Sequence, residues 1–191
     1  MSGDPQPAPV PDRVLRQRRL VDQAMSMHAA LRDRAAQTST TITVVLLCAS
    51  AAGTAFAFAG DNQAVQLLGL QASRSTWLGV LSVVVFCGTL VELVTDRRGA
   101  ARRHDAAVRL LSDLMSAHRE APVDGDWAEV QARLTERYDQ VTDRIPPIPE
   151  SRFNKLKSQH LRKVEISKLL SEHPGITVKQ AQRLLKQRLD S

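Results

Sequence analysis

Few residues in this sequence have types and spacings that could do chemistry, and most lie in or beside two stretches without charge. Glu92 is the sharpest of them. It is the one formally charged side chain in the apolar stretch 76–94, and an acid inside a membrane-length helix is costly enough to mark a candidate functional site. In a ring of several copies Glu92 would set acidic groups near a pore mouth and favour cations. The alternative is structural, with the carboxylate reaching the headgroups and pairing with a nearby arginine. Thr43, Ser50, Ser82 and Thr89, with Thr40 and Thr54, offer hydroxyls that either line a wet path or bond carbonyls of their own helix. A basic set, Arg97, Arg98, Arg102, Arg103, Lys155, Lys157, Arg162 and Lys163, would cradle a phosphorylated messenger or partner, or contact anionic lipid. No Gly-rich phosphate loop accompanies it.

Other chemistries are excluded by what is missing. Cys48 and Cys87 each sit in an apolar stretch and build no disulfide framework, so they are expected as buried small apolar groups rather than redox switches. No CxxC exists, and His28, His104, His118, His160 and His173 show no HxxxH or HExxH spacing, so neither a metal nor any other cofactor is expected. His28 and His104 fall on apolar helix faces, as core histidines or, alternatively, as a pH sensor. No nucleophile or acid–base pair is visible, and the chain is not expected to be an enzyme. The pI of about 9.9 suggests nucleic acid, yet 7 aromatic residues leave few stacking platforms. A PGIT turn at 174–177 is like the opening of a helix-turn-helix, but no groove-reading helix follows it in the sequence, and no nucleic-acid partner is expected.

The elements that carry these residues follow from where charge is absent. Between Arg34 and Asp61 lie 26 residues without Asp, Glu, Lys or Arg, and between Arg74 and Glu92 lie 17. The run 38–59 makes a helix of about 33 Å at ~1.5 Å per residue, enough for a hydrocarbon core of ~30 Å. It begins too far into the chain, and runs too long, for a signal peptide, and it is longer than an uncharged core helix usually is. The run 76–95 contains the β-branched Val83, Val84 and Val85, but in lipid only a helix satisfies its own backbone. Arg32 and Arg34 precede the first run and Arg97, Arg98, Arg102 and Arg103 follow the second, while the segment between them has only Arg74. This asymmetry predicts both termini in the cytoplasm. Phe56, Phe58 and Trp77 would then mark the outer interface. The small residues Ala49, Gly53 and Ala57, with Gly79 opposite, are candidates for close helix packing, either within the hairpin or between subunits.

The expected organisation is a disordered Pro-rich tail (1–11), a cytoplasmic juxtamembrane helix (12–37) capped by Asp12, a transmembrane helix (38–59), an outer loop (60–75), a second transmembrane helix (76–95), cytoplasmic helices (96–145), and a Pro elbow with C-terminal helices (146–191). Apolar spacing along Val14, Val21, Met25 or Ala24, His28, Leu31 and Ala35 matches that of His104, Val108, Leu111, Met115 and His118, so those two helices should pack together. Asp126 should cap a helix after the break at 121–125. Its seam Trp127, Val130, Leu134, Tyr138, Val141, Ile145 has heptad spacing and serves either internal packing or a subunit interface. The fold class is thus an all-α membrane protein: a two-helix transmembrane hairpin with long juxtamembrane helices and a cytoplasmic helical bundle.

Several local motifs add a family resemblance. Arg103-His104-Asp105-Ala106, Tyr138 in ERYDQV, Ile145-Pro146-Pro147-Ile148-Pro149, and Phe153-Asn154-Lys155-Leu156-Lys157 with His160 and Lys163 resemble the SLATT family, the SMODS- and SLOG-associating two-transmembrane effector domain, over residues 12 to 172. The resemblance implies a non-enzymatic effector of bacterial anti-phage or conflict systems, which oligomerises and forms a pore in the inner membrane or disrupts it. It also implies a separately encoded partner, a nucleotide-second-messenger synthetase or sensor, that triggers it. The alternative is a two-span, non-conducting anchor or adaptor whose cytoplasmic bundle recruits a soluble partner.

Overall fold

The structure is a computed structural model, and it describes residues 10–58, 65–67, 70–121 and 126–190. Most of the expected tail (1–9), part of the expected outer loop (60–64 and 68–69) and most of the expected break (122–125) lie outside the described residues. Helix α1 runs unbroken over Asp12–Phe58, 47 residues. Nothing in the sequence stops it earlier, since no proline or glycine intervenes before Gly53. The carbonyl of Pro11 accepts from Val14 and Leu15 amides, so Asp12 is the first helical residue and not the cap. Its acid still favours the helix N-terminus.

The fold is all-helical, as expected, apart from one small ribbon. Two short strands, β1 (Val65–Leu67) and β2 (Leu70–Ala72), pair antiparallel with Val65 opposite Ala72 and Leu67 opposite Leu70. Apolar and polar residues alternate through Val65-Gln66-Leu67 and Leu70-Gln71-Ala72, the period of two of a strand. Helix α2 (Arg74–Thr95) starts two residues before the expected span, because Ser73 caps it by accepting from the Thr76 amide. Helices α3 (Arg97–Arg119), α4 (Trp127–Thr142), α5 (Glu150–Glu172) and α6 (Val178–Asp190) complete the chain. Asp126 caps α4 through the Ala128 amide. Between α4 and α5 the triple-proline run is non-helical, as missing donors and fixed φ require. A reciprocal pair caps α6: Gln180 N–H donates to Thr177 Oγ1, and Thr177 N–H to Gln180 Oε1.

The chain divides into two compact units, Met1–Leu31 with Arg103–Ser191, and Arg32–Arg102. The first has three apolar clusters. Val21, Leu111, Leu114 and Met115 pack with Ala24, Met25, Tyr138, Val141 and Ile145. Val14, Val130 and Leu134 pack with Trp127, and Met27, Leu31 and Leu156 pack with Ile148. The α4 seam is therefore satisfied inside the chain. Met27, Ala107 and Leu114 are buried beyond the expected set, because each helix is covered by more than one neighbour and its apolar stripe is wide.

The second unit contains the apolar part of α1 and all of α2, paired antiparallel along a narrow seam. A Cβ built on Gly53 would lie 2.8 Å from Leu81 Cδ2, and one on Gly88 would lie 2.8 Å from Leu46 Cδ2. Each glycine receives a leucine from the facing helix. Both helices are long and apolar enough to cross a membrane, and no residue of the most apolar 18-residue window of either is buried in the chain. Cys48 and Cys87 are exposed, contrary to expectation. A pair of helices can cover only one face of each, and the cysteines fall on the others. Gly53→Ile should force the seam apart and destabilise the unit by about 1–3 kcal/mol, as overpacking does. Thermal unfolding in detergent should show partial recovery when Leu81→Ala is added; a double variant no more stable than Gly53→Ile would refute this seam.

Candidate functional site

The charged end of the apolar helices is organised by a backbone break at Asp96. In a continuous helix, residue 97 would lie about 140° around the axis from Glu92, too far for an ion pair. Asp96 instead takes a left-handed conformation (φ 39°, ψ 48°), ends α2, and starts α3. Its Oδ1 accepts from the Gly99 amide at 3.0 Å. Glycine leaves room for this cap, since a Cβ on residue 99 would stand 2.0 Å from the Asp96 carboxylate and force it to move.

The break turns two arginines back onto the end of the helix pair. Arg97 Nη1 lies 3.3 Å from Glu92 Oε2, with the two side chains only 29% and 18% exposed. Ser39 Oγ donates to Glu92 Oε1 and is itself 1% exposed. Arg98 donates through Nε to Ser39 Oγ at 3.3 Å and through Nη2 to Thr43 Oγ1 at 3.0 Å. Of the two roles open to Glu92 from sequence, the observed contact is the arginine pair. Buried charge demands this, because an unpaired carboxylate here would bear its desolvation uncompensated.

This network forms one end of a groove of about 500 Å³ lined by Thr43, Leu46, Leu47, Ser50, Val85 and Thr89 as well as the charged residues. Four candidates, Glu92, Thr43, Ser50 and Thr89, thus meet in one place. Ser82 lines a second groove of about 410 Å³, with Ala49, Gly53, Ala57 and Ser50. The small-residue stripe therefore faces α2 of the same chain, whereas Gly79 has no atom within 4 Å of its Cβ position and takes no part. Thr89 donates to the Val85 carbonyl at 2.6 Å and Thr54 to that of Ser50 at 2.9 Å, the local bonding that saturates helix hydroxyls.

The basic set is divided between the two units. Arg97 and Arg98 line the groove and Arg102 is exposed nearby on α3 in sequence, while Arg103, Lys155 and Lys157 belong to the other unit and are exposed. Sequence reasoning missed Ser39, Asp96 and Gly88. The mirrored register was the signal: in an antiparallel pair with Leu46 opposite Gly88, Ser39 falls near Glu92.

A second polar feature lies in the other unit, where His28 on α1 and His104 on α3 approach with Nδ1 atoms 3.0 Å apart and rings tilted by 45°. One nitrogen must donate and the other accept, so at least the accepting ring is neutral. Burial first, then His104, pushes His28 down to about 4. Burial, then Arg103 and Arg152, lowers His104 as well. The same arginines make the pair a poor cation site, and among the described residues no group of three His, Cys, Asp or Glu side chains is placed to hold a metal. His118 is also buried, with neither ring nitrogen bonded.

No protein-family model, curated protein or solved structure matches this chain. Two predictions follow from the geometry alone. Asp96→Asn, which tolerates left-handed φ and retains a capping oxygen, should leave unfolding nearly unchanged, whereas Asp96→Ala should cost about 1–2 kcal/mol by chemical denaturation. For the histidines, both lowered values lie below the unfolded value of 6.5. Stability should therefore be full above pH 6.5 and fall as pH drops toward 4, where the unfolded chain gains protons that the folded pair refuses. Melting temperatures between pH 7.5 and 4.5 should show this slope, and His28→Gln should flatten it.

Proposed function

We propose that this chain is a two-span protein of the bacterial inner membrane, with both termini cytoplasmic, that acts without catalysis as an oligomeric membrane-permeabilising effector. The observation that carries the reading is the uncovered apolar surface of α1 and α2, which meet along one narrow seam and leave the rest to lipid or to other copies. The excess of arginine beside the charged ends of both helices supports the orientation. Two helices enclose no lumen, so permeation requires several copies. The effector role, its anti-phage setting and its trigger, a separately encoded nucleotide-second-messenger synthetase or sensor, rest on the SLATT resemblance carried by the motifs at 103–106, 145–149 and 153–157.

The pairing of Glu92 with Arg97 and Ser39 favours a second reading, a membrane anchor whose helical cytoplasmic unit recruits a soluble partner and never conducts. In that case the acid only ties the helix ends together. In the effector, assembly exchanges the Arg97 contact for contacts between copies and turns Glu92 toward the pore.

Induced expression in bacteria with a membrane-potential dye and propidium uptake separates the two. The effector should depolarise the cells, and Glu92→Gln should weaken the cation preference of the leak in reconstituted vesicles. Full membrane expression with no leak, with and without the native partner, would establish the anchor instead.

A further inference from the structure

The charges around the groove at Glu92 are unequally answered. Glu92 has Arg97, and the Asp96 carboxylate caps α3. Arg98 is different: its guanidinium donates only to the hydroxyls of Ser39 and Thr43, and among the described residues no carboxylate pairs with it. Hydroxyls orient a guanidinium without neutralising it. Arg98 therefore keeps its direction and its remaining N–H donors, beside the Glu92 and Asp96 carboxylates that line the same groove. Those donors suit a phosphate oxygen, for which a planar guanidinium is well matched.

The rest of the groove is apolar. Leu46 and Leu47 on α1 and Val85 and Leu93 on α2 wall a space of about 500 Å³. From Thr43 to Ser50 the groove follows α1 for about 10 Å at ~1.5 Å per residue. It thus has a head where an arginine offers free N–H donors and a hydrocarbon-compatible body in one line. A free phosphate would use only the head, and a neutral lipid only the body.

We propose that this groove is a binding site for one anionic glycerophospholipid, with its phosphate on Arg98 and one acyl chain along Leu46, Leu47, Val85 and Leu93. The proposal rests on the two-span reading, since only there does the arginine end stand at headgroup level. Thr43 is a positioning residue that aims Arg98. Arg97 keeps the Glu92 charge from repelling the phosphate.

The test uses the full chain, purified in detergent and delipidated, then titrated with phosphatidylglycerol, phosphatidylcholine or inorganic phosphate and read by native mass spectrometry. Phosphatidylglycerol should be retained about fivefold better than phosphatidylcholine, the order expected of one arginine at an anionic headgroup, and millimolar inorganic phosphate should not displace it. Arg98→Gln should abolish the preference, and Arg98→Lys, which keeps the charge and the fold, should retain part of it. Arg137→Gln, an exposed change on α4, should leave it intact. Equal retention of both lipids, equal losses in the Arg98 and Arg137 variants, or displacement by phosphate would overturn the site. Carbonate extraction of membranes distinguishes the failures: a released chain refutes the two-span reading and the site with it, whereas a retained chain without lipid preference refutes the site alone.

Discussion

A carboxylate at the end of a long uncharged helix must find partners where water is scarce, and the arrangement of Glu92 answers to that requirement. Its partners come from two directions, Ser39 on the facing helix and Arg97 from beyond the end of its own. Ser39 is in reach because α1 and α2 run antiparallel in one register. Arg97 is in reach because the backbone breaks at Asp96. The register and the break are thus both read out at one side chain, and Arg98 is oriented as a by-product of satisfying it.

The register itself comes from the exchange of glycine for leucine across the seam. Gly53 receives Leu81 and Gly88 receives Leu46, so the helices approach closely at two levels. In lipid, where there is no hydrophobic drive to bring helices together, such close packing and the hydrogen bonds at the ends are what hold a pair. The break at Asp96 is equally local in origin. An aspartate tolerates left-handed φ, its carboxylate caps the helix that follows, and Gly99 leaves room for it.

The other unit is held by different physics. Its three clusters bury leucine, valine and methionine from α1, α3, α4 and α5, each fully buried side chain contributing on the order of 1.5–3 kcal/mol. Polar histidines are buried there too, and the paired ones are disfavoured from taking up protons, first by burial and then by each other or by adjacent arginines. They join α1 to α3 by a hydrogen bond that requires one of the two facing nitrogens to remain unprotonated. One apolar seam from Trp127 to Ile145 serves this internal core, although its heptad spacing equally suits an interface between copies.

The helices were legible in the sequence because their signals are local. Uncharged runs set the two long apolar segments, prolines set the elbow, and Asp126 and Thr177 set caps through side chains acting within a turn. The paired strands were legible only in part, as a two-residue period within a short segment. The candidate site was half visible: Glu92 stands out as a lone charge, but its partners do not. Ser39 lies 53 positions away in the chain, and Arg97 sits at a spacing that an intact helix would put on the wrong face. Which groups meet depends on a register fixed by steric contacts between distant residues and on one reversed backbone angle, and neither leaves a periodic trace in composition. The sequence by itself determined which segments are helical and where charge is forbidden; only the tertiary structure decided that Glu92 is paired and that Arg98 is held by two hydroxyls at the end of a groove, because both depend on a register and a backbone break that no local signal encodes.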